Sequence, residues 1–294
     1  MQRVDKITAI AMILAVALDA AIWQSVAFET EDSHPVFRFL DVGQGDATLL
    51  ELPGRVQILA DAGPDRSIIP ALEEALGGRD RRIELAIVTH PELDHFNGFN
   101  FILDHYDIGA VILNGRPAEG AVGAWNAFLE KIREKKIPVV RVGAGDRIVY
   151  GDTEIRIISP GPEILGSGAI NDTSIVGLVR TPRIRVLLTG DIGSSIERFL
   201  LESGADVRAD VLKVPHHGSK YSSSPEFLRS VNPKVAIIEV GATNRYGHPA
   251  PEALERISAS TAARVFRTDR DGSVKISVSD GQLRVFTSKS GPGR

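Results

Sequence analysis

Thr89-His90-Pro91-Glu92-Leu93-Asp94-His95 is the stretch whose reading decides the fold. It follows Leu85-Ala86-Ile87-Val88, a continuously apolar run that reads as a strand buried on both faces. Within six residues it carries His90, Glu92, Asp94 and His95, all able to ligate a divalent metal. Pro91 keeps the start extended, so His90 and Glu92 can point the same way at period two. Asp94 and His95 then follow at the turn into a helix. Two imidazoles and two carboxylates converging at a strand end have the donor types to hold one or two metal ions. A polar helix N-terminus would account for the acids, with Asp94 capping and Glu92 favouring the dipole. It would not account for the two histidines.

Two other strand ends carry matching chemistry. Val186-Leu187-Leu188-Thr189-Gly190-Asp191 is an apolar strand ending in a carboxylate. Val211-Leu212-Lys213-Val214-Pro215-His216-His217-Gly218-Ser219 ends in paired histidines. Taken singly, Asp191 is explained as a cap for the helix starting at Ser194, and the histidine pair as surface loop. Polar groups delivered together from the ends of several buried strands are how an α/β scaffold builds a site. Strands are predicted over 36–40, 47–52, 55–60, 85–88, 108–113, 139–142, 147–150, 154–158, 174–179, 184–188, 211–214, 235–240, 265–267, 274–278 and 283–286. Helices are predicted over 67–76, 94–103, 123–136, 194–202, 225–230 and 251–258. The interleaving means an α/β layered domain over residues 36–287, with no internal repeat and no linker inside it.

Toward the N-terminus, Arg3 and Lys6 precede an apolar run over 7–23 that Asp19 interrupts, and Gln24-Ser25-Val26-Ala27 offers small residues before a cut. Residues 1–27 therefore read as a secretory signal peptide or an N-terminal membrane anchor. A buried helix is the third reading. Residues 28–35 form a polar linker, and 288–294 a disordered tail. The expected location is exported, periplasmic or extracellular, or membrane-anchored by the N-terminus. The 294 residues are 43% hydrophobic and 24% charged, which excludes global disorder. With no cysteine there is no disulfide, thiolate metal site or cysteine nucleophile. A net charge of −4 excludes a globally basic nucleic-acid coat.

Read in order, Phe39 to Ala47 (F-L-D-V-G-Q-G-D-A), Asp61-Ala62-Gly63, Thr89 to His95, Asn171 to Ser174 (N-D-T-S), Leu187 to Asp191, Leu212 to Ser219 and Tyr246 to Pro249 (Y-G-H-P) form a specific set. The chain resembles the metallo-β-lactamase-fold hydrolases, and most of all the soluble metallo-hydrolase domain of ComEC-type competence proteins. The resemblance covers nearly all of residues 36–287. It implies a four-layer αββα sandwich with a metal site between the exposed edges of two sheets. It implies that His90 ligates a first metal, Asp94 and His95 a second, and that Asp191 bridges them. One of His216 and His217 completes the second site, with His216 favoured because it lies nearest the strand end. Glu92 and Asn171 stand where the wider superfamily has histidines. The first site would then be richer in oxygen, which shifts its preference from zinc toward manganese.

The activity the resemblance implies is metal-dependent hydrolysis of a phosphodiester, with DNA as a candidate substrate. Asp94 would position the nucleophilic water. His217, Lys220 and the Ser222-Ser223-Ser224 run would hold phosphate, unless the serines only cap a helix at Pro225. His248, after another buried strand, lines the site or sits in a loop. Asp41, Gln44, Asp46 and Asp61 read first as turn residues bonding their own backbone, with a supporting role beside the metal as the alternative. The basic groups Arg79, Arg81, Arg82 and Lys131, Arg133, Lys135, Lys136 read as solvated faces. The competing function is a catalytically weak module that uses the same fold to hold nucleic acid or a protein partner.

Overall fold

Side-chain alternation along the strands sorts the core into three apolar layers. Leu49 and Leu59 belong to one cluster, while their neighbours Leu50 and Ile58 belong to another on the opposite face. Val88 and Ile87 divide in the same way, which is why the run from Leu85 to Val88 has no polar face. The computed structural model describes residues 34–78, 80–166 and 169–289. The signal or anchor segment expected over 1–27 lies outside these residues, as do 28–33 of the expected linker and 290–294 of the expected tail. Ser288 and Lys289, also expected in the tail, are held: the Ser288 hydroxyl accepts from the Ser273 amide, and Lys289 pairs with Asp41.

The first sheet comprises β1 (Val36–Phe39), β2 (Thr48–Leu52), β3 (Val56–Ala60), β4 (Arg82–Val88), β5 (Asp107–Leu113), β6 (Val139–Arg141), β14 (Val274–Ser279) and β15 (Gln282–Thr287). Their order is β15-β14-β1-β2-β3-β4-β5-β6, with β3 to β6 parallel. The second sheet comprises β7 (Arg147–Tyr150), β8 (Thr153–Ser159), β9 (Val176–Arg180), β10 (Arg185–Leu188), β11 (Val211–Lys213), β12 (Val235–Ile238) and β13 (Arg264–Arg267). Its order is β13-β12-β11-β10-β9-β8-β7, with β10 to β13 parallel.

The middle layer lies between the sheets and joins Phe37, Ile58 and Ile87 to Val186, Val211 and Ile237. Helices cover both outer faces. On the first sheet these are α1 (Ile68–Leu76), α2 (Leu93–Phe96), α3 (Phe99–Ile102) and α4 (Val122–Glu134), through Leu72, Phe96, Phe99 and Phe128. A short α5 (Pro162–Leu165) follows β8 and sends Ile164 into the layer outside the second sheet. That layer also takes Leu200, Leu228 and Ile257 from α6 (Ser194–Glu202), α7 (Pro225–Val231) and α8 (Pro251–Ser260). The one-turn α9 (Thr268–Asp271) follows β13. The architecture is the αββα sandwich expected from the sequence. No helix among the described residues is long and apolar enough to cross a membrane.

The helix predicted over 94–103 is broken. It divides into α2 and α3 because Gly98 packs its backbone against the loop after β3. A Cβ on Gly98 would lie 1.8 Å from the Ala62 carbonyl oxygen. The Gly98 amide donates to the Gly63 carbonyl at 2.8 Å, and the Ala62 amide to the His95 carbonyl at 2.8 Å. Hydrophobic periodicity carries no trace of this approach, yet it fixes the helix that presents Asp94 and His95.

Candidate metal centre

The parallel strands of both sheets release their loops at one end of the sandwich, and the polar groups singled out in the sequence gather there. His90 follows β4, Asp191 follows β10, and His217 follows β11. Asp94 and His95 sit in the single turn of α2. Four overlapping groups have donor atoms within 4.8 Å of one another: His90, His95 and Asp191; Asp94, His95 and His217; Asp46, Asp191 and His217; and Asp46, Asp61 and His95.

The proton positions follow from the partners on the far side of each ring. The Thr89 hydroxyl donates to Asp61 at 2.6 Å, and the Ser174 hydroxyl donates to the Asn171 carbonyl at 2.6 Å. Both hydroxyl oxygens are then acceptors for His90 Nδ1, at 3.0 and 3.2 Å. His95 Nδ1 donates to Asp61 at 2.8 Å, and His217 Nδ1 to the Glu239 carbonyl at 2.8 Å. All three rings therefore turn Nε2 inward, as metal-ligating imidazoles do when a carboxylate or carbonyl holds the other nitrogen. His95 Nε2 lies 3.3 Å and His217 Nε2 3.4 Å from Asp191 Oδ2. Asp94 Oδ2 stands 3.4 Å from His217 Nε2.

These inward atoms fit a divalent cation. His90 Nε2, His95 Nε2, His217 Nε2 and Asp191 Oδ1 are buried with no hydrogen-bond partner among the described residues. Three buried imidazole nitrogens without a hydrogen bond, gathered about one carboxylate, are costly unless something satisfies them. The charges agree. Burial opposes ionisation of Asp191, but His217, His95 and Lys213 hold its carboxyl well below the usual carboxylate range. Asp94 is likewise held low against burial by His217 and His95. Burial also opposes charge on His217, but Asp191 and Asp46 push it up to about 10. Asp191 and Asp61 raise His95 in the same way. Protons on two rings thus take the place of a cation that the carboxylates demand. Burial, with His95 alongside, lowers His90 to about 3, so its Nε2 is a free lone pair.

Not every expected residue joins this set. His216 was favoured over His217, and the structure reverses that preference. Both lie at positive φ, 52° and 53°, in a tight turn after Pro215. The left-handed pair swings consecutive side chains apart, so His217 is buried in the cluster. His216 keeps its ring 30% exposed, with Nε2 3.8 Å from Asp191 and 3.4 Å from the Asn171 amide nitrogen. Glu92 falls outside all these donor groups, and Asn171 brings its amide nitrogen to 3.4 Å from His216 Nε2. Glu92 begins α2, its carboxyl raised by burial and by Asp94. His248 does reach the rim, its ring 5.7 Å from that of His216 and 6.5 Å from that of His217. Burial, with His217 and His216 beside it, lowers His248 to about 4.

Sequence reasoning missed Lys213 and Glu239. Lys213 ends an apolar strand, is only 2% exposed, and pairs with Asp46 while donating to the Gly190 carbonyl at 3.0 Å. Its Nζ is 3.5 Å from Asp191 Oδ1. The Glu239 carboxylate accepts from the Ala47 amide and the Thr48 hydroxyl, tying the end of β12 to the start of β2. Burial and Asp46 raise it to about 8. A lysine between Leu212 and Val214 was the available signal, because a buried cation needs buried anions. Of the serine run, Ser224 precedes α7 without a side-chain cap; Glu197 instead accepts from the Ser223 and Ser224 amides.

Residues 40–241 match the family model described as the metallo-beta-lactamase superfamily. The chain is 29% identical over 260 residues to ComE operon protein 3 of Bacillus subtilis (strain 168), covering 80% of this chain and 32% of that protein. It is 30% identical over 254 residues to Recombination protein 2 of Haemophilus influenzae, covering 84% of this chain and 29% of that protein. The chain thus spans about a third of the length of these relatives. Its backbone also superposes on Tm1679, a solved metal-dependent hydrolase of the β-lactamase superfamily, with a TM-score of 0.54 at 12% identity, over 84% of this chain and 100% of that one.

Proposed function

The chain belongs to the metallo-β-lactamase superfamily, and from that premise we propose that it is a metal-dependent phosphodiesterase, with nucleic acid as its substrate class. The observation that carries this reading is the convergence of three buried imidazole nitrogens, none of them hydrogen-bonded, with the Asp191 carboxylate at one end of the sandwich. His90, Asp94, His95, Asp191 and His217 would hold one or two divalent ions, zinc or manganese. A bound ion of this kind lowers the pKa of water and polarises a phosphoryl oxygen.

The remaining roles belong to this chain's own groups. Asp61 and the Glu239 carbonyl orient His95 and His217. Asp94, at the edge of the cluster and one-quarter exposed, is placed to accept a hydrogen bond from an attacking water and so position it. His248, kept neutral by burial and two neighbouring histidines, offers its ring N–H as a hydrogen-bond donor to a leaving oxygen. Lys220 and Arg245 stand at exposed rim positions over Tyr221 and Tyr246 and supply positive charge for an anionic substrate. The relatives named for competence and recombination support the choice of nucleic acid. Glu92 and Asn171, standing where the wider superfamily has histidines, keep the binding-module reading as the alternative.

The test is hydrolysis of bis(p-nitrophenyl) phosphate by the full chain with zinc or manganese, beside Asp94→Ala. Turnover that needs metal and collapses in the variant supports the enzyme. Measured metal binding without turnover on any phosphodiester moves the weight to the binding module.

A further inference from the structure

We propose that the end of the second sheet opposite the metal centre is a membrane-facing surface that takes anionic phospholipid headgroups. Topology sets the direction. β10, β11, β12 and β13 are parallel, so the loops holding Asp191, His217 and Glu239 leave one end, and the strand starts lie at the other. At those starts stand Arg185, Arg208, Lys234 and Arg264, lining one open groove. Arg180, at the end of antiparallel β9, and Arg183, in the following turn, extend the same edge. Among the described residues, only Asp206 and Asp210 oppose these six cations as salt-bridge partners: Asp206 takes Arg180 and Arg185, and Asp210 takes Lys234. Arg183, Arg208 and Arg264 are exposed, with no carboxylate partner among the described residues.

The place where the chain enters the domain selects the partner. His34 and Val36 share a groove with Pro182 and Arg183, so the N-terminal segment joins beside the basic edge. Eleven positions before His34 lies the end of the apolar run 7–23, whose composition suits the interior of a bilayer. A basic surface next to such a segment is the arrangement that anionic leaflets attract. Docked this way, the metal centre points away from the bilayer into the aqueous phase.

Headgroup attraction is isolated by comparing lipids, because the apolar run contributes to both. The full chain is partitioned between buffer and vesicles of phosphatidylcholine, alone or mixed with phosphatidylglycerol. The same is done for Arg183→Gln/Arg208→Gln/Arg264→Gln, whose thermal unfolding should match the parent because all three side chains are exposed. Loss of three surface cations should reduce the preference for the anionic vesicles on the order of a hundredfold, and high salt should do likewise. Because the chain has no cysteine, Ala262→Cys and Ala242→Cys each accept one fluorophore, at the basic edge and near the metal end. Headgroup-attached quenchers should dim the first and spare the second. Equal lipid preference in parent and variant overturns the proposal, as does equal quenching at both positions. Unchanged lipid preference with lost affinity for duplex DNA overturns it in favour of a nucleic-acid surface.

Discussion

Replacing Asp61 by Asn tests the reading of the centre most sharply, because it changes a proton without changing a shape. Asp61 touches no inward-facing donor. Its carboxylate accepts from the Thr89 amide at 2.8 Å, the Thr89 hydroxyl at 2.6 Å and His95 Nδ1 at 2.8 Å. Three donors leave no room for an amide N–H. In Asp61→Asn the amide oxygen can keep the Thr89 backbone, and its NH2 then faces His95. The ring must turn to its other tautomer and carry its proton on Nε2, the atom aimed into the cluster. Metal affinity should fall roughly 10- to 100-fold, as for other groups that orient a ligating histidine. That is about 1.4–2.7 kcal/mol of binding. Stability is the poorer readout. Hydrogen bonds to a charged group are worth about 1.5–3 kcal/mol, but burial already raises the Asp61 carboxyl, so removing its charge recovers part of the loss. Competition against a fluorescent chelator gives the affinity for manganese and zinc. Asp65→Asn, at an exposed carboxylate a few residues on, is the control. An Asp61→Asn affinity within twofold of the parent, with the fold intact, would refute the tautomer argument.

Three further outcomes follow from the same geometry. His217→Ala should lower metal affinity by at least tenfold more than His216→Ala, which calorimetric titration of both variants resolves; the opposite ranking removes His217 from the cluster. Metal binding should release protons, because neutral rings are needed where His95 and His217 are charged in the metal-free protein. With His217 raised from an ordinary 6.5 to about 10, affinity should climb with pH across that interval, while the metal-free protein loses stability over the same window. Titration in buffers of different ionisation enthalpy counts the protons, and a release near zero at pH 8 contradicts the assignment. Lys213→Met should cost about 3–5 kcal/mol in urea denaturation, since it strands Asp46 beside Asp191 without their buried cation; a loss below about 1 kcal/mol would mean that the two carboxylates are solvated or protonated.

The layered fold was legible because burial on both faces leaves a mark in sequence: Leu85 to Val88 has no polar alternation, and the structure buries it from both sides. His90, Asp94, His95 and Asp191 were legible for a related reason, as polar groups placed directly after such strands. What escaped depends on backbone detail that residue type does not encode. The positive φ values at His216 and His217 decided which imidazole turns inward, and nearness to the strand end pointed the wrong way. The break in the 94–103 helix came from a carbonyl 30-odd residues away meeting Gly98. Period-two reasoning treated residues 90 to 92 as straight strand, but the Glu92 amide donates back to the His90 carbonyl at 3.0 Å, so the chain turns there before α2.

The inward-facing donors are contributed by both sheets: His90, Asp94 and His95 from the first, Asp191 and His217 from the second. Hydrogen bonds link the sheets mainly near the metal end, among them Glu239 to Ala47 and Thr48, His90 to Ser174, and the Ile175 amide to the Thr89 carbonyl, while the layer between the sheets is non-directional apolar contact. An ion shared by both sets of ligands would act as a clasp against shear between the two halves, closing loops of a hundred residues or so. Amide exchange in β4 and β11 should then slow together when metal is added, as though two independent leaves had become one bound volume.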